Sequence, residues 1–280
     1  MERRSYRRPR QGSIRRWLAL PLTLATIGLL TSACTKSEFS PDEVFRVDSV
    51  HHLKYGDHDP VRIHGRQPKS FQVHGIDISR HNKSIDWRRI RREGVDFAFI
   101  KATEGKDNVD RRFAEFWSAA RSVRMPRSAY HFYYFCATPE DQADNYIRTV
   151  PKSQTGLPPI LDVEWNPDSP TCKKRPPKAN VVNALSRWLR KIEAHYGQKP
   201  IIYTTPDFYE ENFSGNALPG YQYWLRSVKA EPKFIYGSRP WVFWQYTGTG
   251  SIPGIEGPVD INAFHGNRTA WNKWLKKNTR

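Results

Sequence analysis

The segment Pro158-Pro159-Ile160-Leu161-Asp162-Val163-Glu164-Trp165 sets two carboxylates two residues apart in an otherwise apolar stretch. Strand side chains alternate faces, so Asp162 and Glu164 share one face while Leu161 and Val163 take the other. Their Cα atoms lie about 6.5 Å apart at about 3.3 Å per residue. Mutual repulsion raises the proton affinity of one partner. A protonated carboxyl beside an ionised one is the pair that glycosidic cleavage requires. Three more carboxylates occupy similar settings: Asp77 in Val73–Ser79, Glu104 directly after Ala98–Thr103, and Asp260 in Pro258–Asn262. One such acid alone is more often a helix cap or turn residue, so the weight lies in their co-occurrence. Aromatic residues accompany them: Tyr130, His131, Tyr133 and Tyr134 on one segment, and Trp165, Trp224, Trp241, Trp244 and Tyr246 near others. Sugar rings present apolar C–H faces to such side chains, although about half of these aromatics belong to a core.

Eight strand-like segments carry these residues: Gln72–Ile78, Phe97–Ala102, Ser128–Phe135, Pro159–Trp165, Pro200–Thr204, Tyr223–Val228, Trp241–Tyr246 and Val259–Ala263. Most are short, rich in Ile, Val, Phe, Tyr or Trp, and bounded by charged or Pro/Gly-containing stretches. Helical periodicity falls between the early ones. Phe113, Phe116, Trp117 and Ala120 mark a helix over Val109–Val123. Val181, Leu185, Trp188, Leu189, Ile192 and Tyr196 mark another over Ala179–Tyr196, with Gly197 just past its end. Pro139-Glu140-Asp141 opens a third, and Thr269–Lys277 reads as a short closing helix. Alternating strands and helices predict a parallel α/β sheet. Eight strands approach the lower size of a (β/α)8 barrel, with an open doubly wound sheet as the competing architecture. Helical signal fades after Thr204, so the barrel is expected to be irregular, and at the C-terminal strand ends of a barrel the carboxylates converge on one mouth.

The 280 residues carry 45 Lys and Arg against 28 Asp and Glu, a net charge of +17, which suits a polyanionic partner. No nucleotide-binding glycine motif and no CxxC pair is present, which disfavours a nucleotide enzyme and a structural zinc site. The basic residues are scattered and match no nucleic-acid-binding motif. Residues 1–34 read as an export signal: seven arginines precede the 14-residue apolar run Trp17–Leu30, too short for a spanning helix. Thr31-Ser32-Ala33 then precedes Cys34. Two readings of this junction stand: lipid attachment at Cys34, tying the product to a membrane, or ordinary cleavage after Ala33. Loss of seven arginines and Glu2 lowers the net charge by six, to +11, so the remainder stays basic. Residues 35–70 read as a polar linker; its histidines are irregularly spaced and no metal site is expected. Export leaves Cys136 and Cys172 as an even pair in an oxidising compartment, as a disulfide or as two free thiols.

Taken together, residues 73–266 resemble the family 25 glycoside hydrolases, the lysozymes or N,O-diacetylmuramidases. The matching blocks, in order, are His74-Gly75-Ile76-Asp77-Ile78-Ser79, Ile85-Asp86-Trp87, Phe99-Ile100-Lys101-Ala102-Thr103-Glu104-Gly105, Ala129-Tyr130-His131-Phe132, Ile160-Leu161-Asp162-Val163-Glu164, Pro200-Ile201-Ile202-Tyr203-Thr204, Trp244-Gln245-Tyr246 and Val259-Asp260-Ile261-Asn262-Ala263-Phe264. The resemblance implies an irregular TIM-like (β/α)5(β)3 barrel over residues 71–280. It implies cleavage of the β-1,4 bond between N-acetylmuramic acid and N-acetylglucosamine in peptidoglycan, without metal or cofactor. By position, Glu164 resembles the general acid and Asp162 its partner carboxylate, with Asp77 and Asp260 completing the catalytic set. Glu104, Tyr133, Trp165, Trp244 and Tyr246 are the candidate substrate contacts. A Cys136–Cys172 disulfide would brace the mouth. The expected partners are peptidoglycan glycan strands and an anionic wall or membrane surface, with no nucleic acid and the chain acting as a monomer. The expected location is the periplasm or cell envelope. A glycan-binding protein without catalysis on the same barrel is one alternative, which loss of Asp162 or Glu164 would have favoured; both are present. A hydrolase of another amino-sugar polymer, such as chitin, is a second alternative.

Overall fold

A computed structural model describes residues 53–152, 156–215 and 217–279. The export signal and Cys34 lie outside these residues. Eight strands close into a barrel: β1 (His74–Ile78), β2 (Val95–Glu104), β3 (Arg127–Phe132), β4 (Ile160–Val163), β5 (Ile201–Thr204), β6 (Gln222–Arg226), β7 (Phe243–Ser251) and β8 (Val259–Phe264). Neighbours from β1 to β7 pair in parallel. Strand β8 runs antiparallel to both β7 and β1 and closes the ring between them. This departs from an all-parallel sheet. Only residues 252–258 join β7 to β8, and a parallel pair needs a crossover of about a dozen residues or more.

Helices α1 (Trp87–Arg92), α2 (Phe113–Ser122), α3 (Pro139–Thr149) and α4 (Lys178–Tyr196) cover the first half. Their ends follow local chemistry. The Asp86 carboxylate accepts from Arg89 N at 2.9 Å and caps α1. Thr138 Oγ1 accepts from Asp141 N at 3.1 Å and caps α3, whose first residue is Pro139. Gly197 adopts φ 68° where α4 ends, the left-handed cap that glycine takes at least cost. Beyond β5 the helices shrink to α5 (Pro206–Asn212) and α6 (Lys233–Tyr236), and α7 (Arg268–Asn278) follows β8.

The core has two layers, set by strand alternation. Inside the barrel, Phe97, Phe99, Tyr130, Ile160, Tyr203, Trp224, Phe243 and Phe264 stack over Trp271 and Leu275 of α7. Ring centroids of Phe97 and Phe99 stand 4.9 Å apart, Phe99 and Trp224 4.7 Å, and Tyr203 and Trp224 4.4 Å. Gly75 leaves room for this filling, because a Cβ there would meet the Phe97 ring at 2.3 Å. The opposite strand faces pack against the helices in a larger outer layer that includes Ile76, Ile100, Leu161, Ile202, Leu225 and Trp188. The lumen is thus filled with rings, and polar chemistry is confined to its mouth.

Residues 53–71, read above as the end of a linker, instead form a strap on the barrel. Gly56 and Asp57 pair antiparallel with Ser251 and Gly250 of β7. His64 forms a parallel bridge with Ala230, and Ile63 and Phe71 are buried in the outer layer. The strap packs beside β7, on the half of the barrel where the helices are short.

Candidate active site

The carboxylates meet at the C-terminal mouth. Asp77 on β1 and Asp260 on β8 are direct cross-strand partners. Asp162, near the end of β4, lies beside Phe132 of β3 and Tyr203 of β5. Glu164 stands just beyond the same strand. The floor beneath them is a hydrogen-bonded network. Gln245 Nε2 donates to both Asp77 oxygens at 3.1 and 3.0 Å, and Asn262 Nδ2 donates to Asp77 Oδ2 at 2.7 Å. Tyr203 OH donates to Gln245 Oε1 at 2.8 Å, and Trp224 Nε1 to Asn262 Oδ1 at 2.7 Å. Each amide is thereby fixed in orientation, and Asp77 is held rigidly. Asp162 Oδ1, in contrast, is buried with no hydrogen-bond partner among the described residues. An unpaired buried oxygen costs about 1–3 kcal/mol, which a donor on a ligand would recover.

Burial and proximity sort these acids. Desolvation pushes Glu164 up to about 7, against the attraction of Arg226 and aided by the repulsion of Asp207. Desolvation also lifts Asp77 to about 6, with the donors from Asn262 and Gln245 working the other way. Asp162 is raised well above the ordinary range by burial and then by the charge of Glu164. Asp260 is raised by burial and by Asp77. Glu104 behaves differently. Burial pulls it upward, but Lys101 Nζ at 2.6 Å and Tyr134 OH at 2.5 Å donate to its two oxygens and hold it below its ordinary value. The Asp162/Glu164 pair therefore holds one proton between its two carboxyls, while Glu104 is biased toward its ionised form. Environments that push carboxylates apart in this way mark acid and base roles.

Several predicted contacts fall elsewhere. Trp244 is fully buried in the outer layer and donates to Ser227 O at 2.7 Å, so it does not reach the mouth. Tyr246 has the same parity; its hydroxyl meets His74 Nδ1 at 3.1 Å, and its edge lines a cleft under the strap. Tyr133 also turns outward, 2% exposed, with its ring against Phe135, although it still lines the small pocket that Glu164 borders. Strand alternation explains all three: Phe132 and Tyr134 take the inward side of their segment, and Phe243 and Gln245 theirs. Trp165 borders the Glu164 pocket, with its indole donating to Glu211 at 2.9 Å. Lys101 and Arg226 are mouth residues that the sequence reading missed, and the parity rule applied to Asp162 would have selected Tyr134 over Tyr133 from the aromatic segment. His131 is structural. Thr103 Oγ1 at 2.8 Å and Gln142 Oε1 at 3.1 Å occupy its two nitrogens, and burial lowers it to about 4, keeping it neutral.

Cys136 and Cys172 form a disulfide with Cα atoms 5.8 Å apart. It joins the loops after β3 and β4 and borders a cleft of about 600 Å³ shared with Lys101, Glu104, Tyr134 and Asn166. Among the described residues no group of three His, Cys, Asp or Glu side chains converges as metal ligands would.

A closed barrel with buried, proton-retaining carboxylates at its C-terminal mouth defines a glycosidase architecture. The family model described as glycosyl hydrolases family 25 matches residues 76–255. The chain belongs to that family. It is 34% identical over 261 residues to a protein of Escherichia coli (strain K12) carrying the name "Uncharacterized protein YegX", with 89% of each chain covered. It is 31% identical over 207 residues to Lysozyme M1 of Streptomyces globisporus, covering 69% of this chain and 68% of that one. A solved family 25 glycosyl hydrolase from Bacillus anthracis superposes with a TM-score of 0.67 at 35% identity, covering 78% of this chain and 98% of that one.

Proposed function

We propose that the protein is a muramidase that hydrolyses the β-1,4 bond between N-acetylmuramic acid and N-acetylglucosamine in peptidoglycan, acting outside the cytoplasm. The observation that carries this reading is the Asp162/Glu164 pair, buried at the mouth of a family 25 barrel with one proton held between its two carboxyls. The lysozyme named above supports the choice of substrate. Glu164 gives its proton to the glycosidic oxygen as the C1–O bond breaks. The carbonyl oxygen of the substrate's own 2-acetamido group closes on C1, and Asp162 accepts its N–H and balances the developing charge. Water then attacks C1, returning a proton to Glu164, and the configuration at C1 is retained. The rigid Asp77 floor and Asp260 hold the electrostatics of this cleft, and Glu104, with Lys101 and Tyr134, offers fixed polar contacts beside it.

In this reading the chain is exported through residues 1–34, by either route at Cys34, and acts as a monomer without cofactor. Its positive charge holds it on anionic wall or membrane surfaces, and binding to walls falls as salt rises. The test is mass spectrometry of peptidoglycan fragments released by the protein, beside Glu164→Gln. Fragments ending in reducing muramic acid, missing from the variant digest, are expected. Fragments ending in reducing glucosamine, or a variant retaining most of the wild-type rate, would overturn the assignment.

A further inference from the structure

The strap and the C-terminal ends of β6 and β7 enclose a second cleft of about 830 Å³, across the mouth from Glu104 and the disulfide. That volume lies within the range of pockets that enclose a drug-sized ligand. Its walls are fixed at both ends. His58 N donates to Thr249 O at 2.8 Å at one end. At the other, His64 N donates to Lys229 O at 2.9 Å and Glu231 N to His64 O at 2.8 Å.

Two contacts join this cleft to the carboxylates. Arg226 lines it while also acting on the charges of Asp77, Glu164 and Asp260. Gly248 lines it too, and a Cβ there would stand 3.1 Å from Asp260 Oδ1. A ligand bridging the mouth and the cleft passes these two residues.

The lining carries both signs of charge. Asp57 and Asp59 supply carboxylates from the strap, and Lys69 and Arg226 supply cations. Thr249 Oγ1 donates to Asp57 Oδ1 at 2.6 Å and fixes one carboxylate. A neutral glycan has no use for two anions and two cations in one cleft. A peptide bearing carboxylates and a free amine has use for both.

We propose that the strap cleft binds the peptide stem carried by the lactyl group of muramic acid, with Lys69 and Arg226 toward its carboxylates and Asp57 and Asp59 toward the free amine of its diamino acid. This rests on the muramidase reading above. It makes the strap a specificity element that selects stem-bearing glycan.

The test compares kcat/KM on wall glycan bearing stems with kcat/KM on the same glycan after enzymatic removal of the stems. The wild type is expected to prefer the stem-bearing form at least tenfold. Lys69→Glu and Asp59→Lys are each expected to cut that ratio below threefold, chiefly through KM. Equal rates in the wild type, or ratios untouched by both variants, would overturn the inference. Cleavage of neither glycan would instead overturn the muramidase reading, so a second arm measures binding alone. Glu164→Gln protein is titrated with a free tetrapeptide stem and with the same peptide acetylated on its free amine. Binding of the free peptide, at least tenfold weaker after acetylation and after adding Lys69→Glu, supports the inference. No binding, or binding indifferent to acetylation and to Lys69, overturns it.

Discussion

Replacing Glu164 by Gln should strengthen the fold at the same time as it stops the chemistry. Burial holds the Glu164 carboxyl up to about 7 from an ordinary 4.5. The folded state therefore keeps a proton that the unfolded chain loses between those two values. The stability linked to that proton is fully present below about pH 4.5 and is lost as pH rises through about 7. At about 1.4 kcal/mol per unit, the loss above pH 7 approaches roughly 3 kcal/mol. Gln carries no charge to desolvate and escapes it. That figure is already net of the attraction of Arg226, which works against the rise. The net gain at pH 8 is about 3 kcal/mol, or a rise in Tm of about 6–12 °C for a domain of this size. Thermal unfolding of both proteins at pH 8 and pH 4.5 checks this, with the difference shrinking to about 1 °C or less at the lower value. A variant that is equally stable or less stable than wild type at pH 8 would refute the burial argument, whatever its activity.

Three further outcomes follow from the same geometry. The rate should fall as pH rises through about 7, as Glu164 loses its proton, and Arg226→Gln should move that limb to higher pH; a pH–rate profile of both proteins decides it. Reducing Cys136–Cys172, which closes a 36-residue separation, should cost roughly 2–4 kcal/mol and lower Tm by about 4–15 °C, read by melting with and without reductant. Gly75→Ala drives a methyl into the Phe97 ring and should cost about 1–3 kcal/mol by denaturant titration, with loss of activity as the floor under Asp77 shifts.

All eight barrel strands were legible because each is a short apolar or aromatic run between breakers. The long helices were legible because α2 and α4 bury a stripe at helical period. Helices α1, α5 and α6 were not, since four to seven residues are too few to show a period. The end of β7 was hidden for a different reason: Thr247-Gly248-Thr249-Gly250-Ser251 has no apolar side chain to mark a strand, yet it pairs on both edges. Reading β7 to Ser251 would have left too short a link for a parallel β8. Asp162 and Glu164 were recognised through parity; where it was not applied, Trp244 was placed at the mouth although it lies in the outer layer, while Tyr133 and Tyr246 border the Glu164 pocket and the strap cleft. The strap escaped notice because Leu53, Tyr55, Ile63 and Phe71 anchor it at wide, irregular intervals.

The antiparallel β8 gives the chain a seam, and the catalytic floor lies across it. Asp77 takes its donors from Asn262, 185 residues away, and from Gln245, 168 residues away. Contacts of such long range are slow to form, because the entropy of closing the intervening loop opposes them until the rest has condensed. A chain cut short before Val259 would keep Asp162-Val163-Glu164 and Gln245 but lose Asp260 and the Asn262 donor to Asp77. Wall-cutting power then arrives only with the last turn of the ring. Turnover itself then becomes a readout of completed folding.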